Sequence, residues 1–115
     1  MTVPNSGKLQ VLQFLDSAIS HVALGDDGAS ENVTATGLGN ELFRKTVTDK
    51  TIDPVLNTIT VENFIGAPEA NGITVREFGL LDSPTAGNLF VIKNIPDQVK
   101  SASLEWLLNV VIEVQ

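Results

Sequence analysis

The sequence predicts a mainly β fold, an antiparallel β sandwich or rolled sheet with one N-terminal α-helix packed on it. Three observations carry this. Apolar residues recur at helical spacing over residues 6–19. From residue 57 onward they fall into short, β-favouring runs, the last of which alternates cleanly. The loops between those runs are short and rich in Gly, Pro and Asn, whereas a parallel crossover needs about a dozen residues or more.

In "SGKLQVLQFLDSAI" (6–19), Val11, Leu12, Phe14, Leu15, Ala18 and Ile19 form one broad apolar face, with Gln10, Gln13, Asp16 and Ser17 on the other side. Asn5 or Ser6 is placed to cap the start, and Pro4 forbids an earlier extension. A stripe of this kind reads as core packing. In "SHVALGDDG" (20–28), Ser20, Val22 and Leu24 alternate with His21 and Ala23 as in a short strand, and Gly25 to Gly28 supply a turn. Residues 29–38 lack periodicity and read as loop. "NELFRKTVT" (40–48) returns to β-favouring residues, and Pro54 then fits a connection or an edge.

The later strands are "NTITVENFI" (57–65), "ITVREFGLL" (73–81), "LFVIKNI" (89–95, ending at Pro96) and "LEWLLNVVIEVQ" (104–115). In the last, Leu104, Trp106, Leu108, Val110, Ile112 and Val114 share one face, and β-branched content favours a strand over a helix. The whole chain, 1–115, reads as a single domain, with a helix at 6–19 and a β body at 20–115.

Composition excludes several functions. The net charge of −7 and only seven Lys and Arg leave no basic stripe to displace counterions from phosphates, so nucleic acid is not an expected partner. The absence of cysteine removes disulfides, thiolate metal sites and cysteine nucleophiles together. No stretch approaches the ~20 apolar residues of a membrane helix. Gln10, Gln13 and Asp16 interrupt the only candidate core of a secretory signal.

Candidate chemistry is equally sparse. His21 is the only histidine, lies among apolar neighbours, and reads as a hydrogen-bonded structural residue. "GDDGASE" holds Asp26, Asp27 and Glu31, but adjacent acids lack the alternating oxygen ligands of a calcium loop. "GLGNEL" (37–42) lacks the third glycine and the strand–helix context of a phosphate cradle. No catalytic residue, cofactor or metal is therefore expected.

The adjacent pair Arg76 and Glu77 is the one charged feature inside an apolar run. On a regular strand, neighbours point to opposite faces. Thr74, Arg76, Phe78 and Leu80 then form one set, and Ile73, Val75, Glu77 and Gly79 the other. If the second set faces inward, Glu77 is a buried acid needing donors, from backbone N–H groups or from a cation such as Arg44; if the first does, Arg76 needs an acceptor. Arg44, Arg76 and Glu77 thus read as structural polar residues, and truncating Glu77 should lower the melting temperature without abolishing binding. On the final strand, Leu107 and Val111 share the more polar face with Glu105, Asn109 and Glu113. Either they cover a second layer of core, or Leu107, Asn109 and Val111 belong to a subunit contact.

Taken in order, "AISHVALGDDG" (18–28), "GLGNELFRKTV" (37–47), "NTITVENFIG" (57–66), "NGITVREFGLLD" (71–82), "LFVIKNIP" (89–96) and Lys100 resemble the phage tail-collar fibre family and related small tail proteins. The resemblance rests on colinearity over nearly the whole chain. It implies a virion structural component, made in the host cytoplasm, that attaches a tail fibre or decorates the baseplate without catalysis. It also implies partners among other tail, baseplate or fibre proteins, and a homo-oligomer, either a trimer or a six-fold ring. Longer relatives continue into a shaft and a receptor-binding tip. This chain ends at Gln115, which favours an adaptor or a short fibre-like subunit. The alternative is a small lectin-like β sandwich binding host surface glycans, although five Phe, one Trp and no Tyr offer few sugar platforms.

Overall fold

The computed structural model describes residues Met1–Gln115. Helix α1 (Asn5–Ala18) is followed by β1 (His21–Gly25), β2 (Glu41–Thr46), β3 (Asp49–Asp53), β4 (Thr58–Ile65), β5 (Thr74–Leu81), β6 (Leu89–Val99) and β7 (Trp106–Glu113). Two antiparallel sheets result, one ordered β2-β1-β5-β6 and the other β3-β4-β7. The predicted class, mainly β with one N-terminal helix, is the observed one.

The helix starts one residue before its predicted boundary, and neither Asn5 nor Ser6 caps it. Pro4 is the N-cap, extended at φ −70°, ψ 166°, and its carbonyl accepts the Lys8 N–H at 3.0 Å. The other end carries no basic residue of its own. Instead Lys50 reaches over from β3, and its ammonium donates to the Asp16 carbonyl and, at 2.7 Å, to that of Ile19. A cation there complements the negative end of the helix dipole.

The apolar face is narrower than the spacing suggests. Leu12 and Ile19 are fully buried and Leu15 is half-buried, but Val11 and Phe14 stay 45% and 60% exposed. The helix rests chiefly on β3 and β4, so the flank of its stripe faces outward. Phe14 meets Phe90 of β6 there, with ring centroids 6.3 Å apart and tilted by 57°.

Between β2 and β3 the chain passes from one sheet to the other in two residues. Val47 N–H still bonds to the Ser20 carbonyl beside β1, whereas Thr48 N–H already bonds to the Glu62 carbonyl of β4, both at 2.9 Å. The residue pattern does not predict strand β3. It is only five residues long, and Pro54 directly after it ends the strand.

Inward-facing pairs build the core: Val22 opposite Leu80 and Leu24 opposite Phe78 in the first sheet, Ile59 opposite Ile112 and Val61 opposite Val110 in the second. Leu12 of α1 and Ile19, its C-cap, join the same cluster. Full burial of one such side chain contributes roughly 1.5–3 kcal/mol. Strand β1 does not alternate in exposure as predicted, because both of its faces are covered. On its outer face Ala23 lies opposite Gly79, and Leu38 packs so close that a Cβ on Gly79 would collide with it.

Strict alternation also fails on β5. Val75, Phe78 and Leu80 all enter the core, so the inward set switches parity across Arg76. The pairing shifts there: Val75 lies opposite Gln98 and Glu77 opposite Asn94, leaving Ile95, Pro96 and Asp97 against Arg76. This bulge explains why β6 does not stop before Pro96 but continues to Val99. A proline lacking its N–H is tolerated on an edge strand at a bulge.

Candidate functional site

The parity switch separates Glu77 from Val75 and turns its carboxylate to the outer face, beneath residues 26–40. The side chain is fully buried. Its Oε1 accepts the Ser30 hydroxyl at 2.6 Å and the Gly39 N–H at 2.8 Å; its Oε2 accepts the N–H groups of Asn40 at 2.9 Å and Asp27 at 3.1 Å. Burial alone pushes this carboxyl up, but the Ser30 hydroxyl and the Asn40, Gly39 and Asp27 N–H groups outweigh it and hold it below the usual carboxylate range. Gly25 lies against it, and a Cβ at that position would strike both the Asn40 carbonyl and the carboxylate.

Asn94 of β6 fastens the same loop from the other side. Its amide group donates to the Asp27 carbonyl at 2.8 Å, and to the Ser30 hydroxyl and the Arg76 carbonyl at 3.2 Å. Its Oδ1 accepts the Glu31 N–H at 2.7 Å, while its own N–H donates to the Glu31 carboxylate at 2.9 Å. No sequence signal marked Asn94. The acids of "GDDGASE" serve this loop: Asp27 accepts the Ala29 N–H and Asp26 the Asn40 amide.

The two arginines stand apart from Glu77. Arg44 pairs with Glu41 at 2.6 Å and donates to the Ser83 and Ala86 carbonyls at 2.8 Å, tying β2 to the 82–88 loop. Arg76 pairs with Asp97 at 3.0 Å across the bulge and reaches the Asp26 carbonyl at 3.4 Å. His21 shares a 2.7 Å hydrogen bond with the Ser20 hydroxyl.

Lys100 is a second buried charge. Its ammonium is fully enclosed and donates to the Ser101 carbonyl at 3.1 Å, Asn71 Oδ1 at 3.2 Å and the Ala67 carbonyl at 3.3 Å. It thereby ties the 66–72 loop to the end of β6. In that loop, Glu69 is held below the usual carboxylate range by Lys45, at 2.8 Å, and by the Gly66 N–H. Glu41 and Arg44 line an open pocket of about 440 Å³ with Thr36 and Thr85, but they are already paired with each other, and an arginine stays protonated and cannot serve as a base. A groove of about 310 Å³ between β6 and β7 is lined by Val75, Phe78, Ile95, Trp106 and Leu108, with only Gln98 and Glu105 as polar neighbours.

The feature presented outward is the solvent face of the second sheet. Leu107 and Val111 are 59% and 62% exposed, so they cover no second layer of core. Asn109 lies between them, also exposed. Phe64, directly opposite Leu107 on β4, is 41% exposed and extends the apolar strip. The sequence pattern flagged Leu107, Asn109 and Val111 but not Phe64, whose place depends on the β4–β7 register.

The structure is thus a two-sheet body whose buried charges, Glu77 and Lys100, hold loops, with an apolar strip exposed on one outer face. Residues 12–112 match the model of the phage tail-collar fibre protein N-terminal domain, and the chain belongs to this family. No curated protein matches it. The family is one of structural virion proteins of the phage tail, whose members associate with other tail proteins. No helix is long and apolar enough to cross a membrane.

Proposed function

We propose that this chain is a fibre-attachment or baseplate adaptor subunit, a single rigid domain that docks to other tail proteins through the β7 face. What supports the reading is the exposure of Leu107 and Val111 on an otherwise ordered strand face, beside Phe64. Scattered surface apolar residues need no explanation, but a contiguous strip in register on two paired strands marks a contact surface. Arg44, Arg76 and Glu77 have structural roles in this reading, because each holds a loop or a bulge in place. A trimer or a six-fold ring is the assembly that suits a tail.

The test is incorporation into particles. Purified virions from cells expressing Leu107→Asp or Val111→Asp should lack the subunit, while the isolated variants still fold and melt cooperatively. Light scattering of the wild-type protein gives the oligomer order. Normal incorporation of both variants would remove the β7 face from the assembly.

A further inference from the structure

Resting on that reading, we infer that the β7 face takes a different chain, one presenting Lys and Arg around an apolar strip, and rejects a second copy of itself. The register lays the outer face out in rows. Phe64 faces Leu107; Asp49, Glu62 and Asn109 form the next row; Thr51, Thr60 and Val111 the third; Asp53, Thr58 and Glu113 the last. Each apolar side chain is thus flanked by acids, and no Lys or Arg of these strands projects from the face; Lys45 of β2 reaches its edge, donating to the Phe64 carbonyl at 2.7 Å, but is paired with Glu69. Lys50 is the only cation on these three strands, and it is turned inward to the end of α1.

Asp49 and Glu62 lie directly opposite each other, an arrangement that is repulsive in an isolated sheet. Asp49 Oδ1 accepts only the N–H of its neighbour Lys50. A cation from a partner set between the two would relieve the repulsion. Two copies meeting through this face would instead bring the acidic rows together.

The rest of the chain offers no cationic counterpart. Of the seven Lys and Arg, Arg44, Lys45 and Arg76 are paired with Glu41, Glu69 and Asp97. Lys50 closes the helix end and Lys100 is buried. Lys8 and Lys93 remain, one on α1 and one on β6, too few to match the acidic rows. Nucleic acid and anionic membranes are repelled by the same acids, so the occupant is protein.

A charge-reversed copy supplies the basic probe. Wild-type protein is mixed with the Asp49→Lys, Glu62→Lys, Glu113→Lys variant, its fold checked by thermal melting, and sedimentation is recorded at low and high salt. The inference expects a heterodimer at low salt that dissociates at high salt, with Leu107→Asp in the wild-type partner weakening it about tenfold or more. No association of the mixture at any salt would overturn it. Self-association of the wild type that Leu107→Asp abolishes would also overturn it, while leaving the β7 face as a contact surface. Loss of the variants from virions is a separate readout, so the two readings fail independently.

Discussion

Replacing Glu77 by Gln removes the charge from the loop anchor while keeping its size. Four donors converge on the carboxylate, two on each oxygen. If the new amide nitrogen takes the Oε2 place, the Asp27 and Asn40 N–H groups both face another donor. If it takes the Oε1 place, the Ser30 hydroxyl can turn and accept, and only the Gly39 N–H is stranded. The second arrangement costs less and sets the minimum. One stranded buried N–H costs about 1–3 kcal/mol, and the surviving bonds lose their charge assistance. Relief from burying a charge offsets part of this, leaving a net loss of about 2–4 kcal/mol. For a domain of this size that lowers the melting temperature by about 8–15 °C.

Calorimetry at neutral pH measures the shift, and amide hydrogen exchange locates it. The Gly39 and Asn40 amides should exchange at least about tenfold faster in the variant, with the β4 amides quickened only through global unfolding. A melting shift below about 2 °C with unchanged exchange at Gly39 would refute the reasoning, because the carboxylate would then not be what orders residues 26–40.

Acidification should act on the same group. The folded carboxyl of Glu77 titrates below its ordinary value, so its stabilisation is complete above the unfolded pKa of about 4.3 and is lost as pH falls through the lower folded value. Wild-type melting temperature should therefore drop below about pH 4.5, more steeply than that of Glu77→Gln, as scanning calorimetry across pH would show. Lys100→Met should loosen the 66–72 loop, seen as new proteolytic cleavage there, and lower stability by about 1–3 kcal/mol through the carbonyls it leaves unpaired. Leu12→Ala should cost about 2–5 kcal/mol in denaturant unfolding, because the cavity opens where helix and sheets meet. Val111→Asp, by contrast, should cost no more than about 1 kcal/mol in the same assay, from lost strand propensity and the neighbouring acids.

Where the chain follows a regular period, the fold was legible. The stripe of α1, the runs of β4 and β5 and the alternation of β7 are each consequences of one face meeting a core. What escaped notice depends on partners distant in sequence. Strand β3 is too short to show a period and follows a two-residue crossing. The reach of β6 past Pro96 required knowing that β6 is an edge strand with a bulge. That bulge also broke the alternation used to group Val75 with Glu77, so the carboxylate's donors were a conditional matter. They lie 37 to 50 residues away along the chain, and nothing in "GLGNEL" or "GDDGASE" announces that their amides point at one atom pair. Asn94 escaped for the same reason.

The chain crosses between the sheets three times, through Val47 and Thr48 and through the longer 66–73 and 100–105 segments, and the last two are hydrogen-bonded to each other from the Gly72 N–H to the Lys100 carbonyl. Strands β6 and β7, the last of each sheet, leave a groove between them. Trp106 lines that groove, half-buried, and it is the only tryptophan in a chain without tyrosine. Its emission is therefore a built-in reporter on this side of the fold, and on whether a docked neighbour covers it.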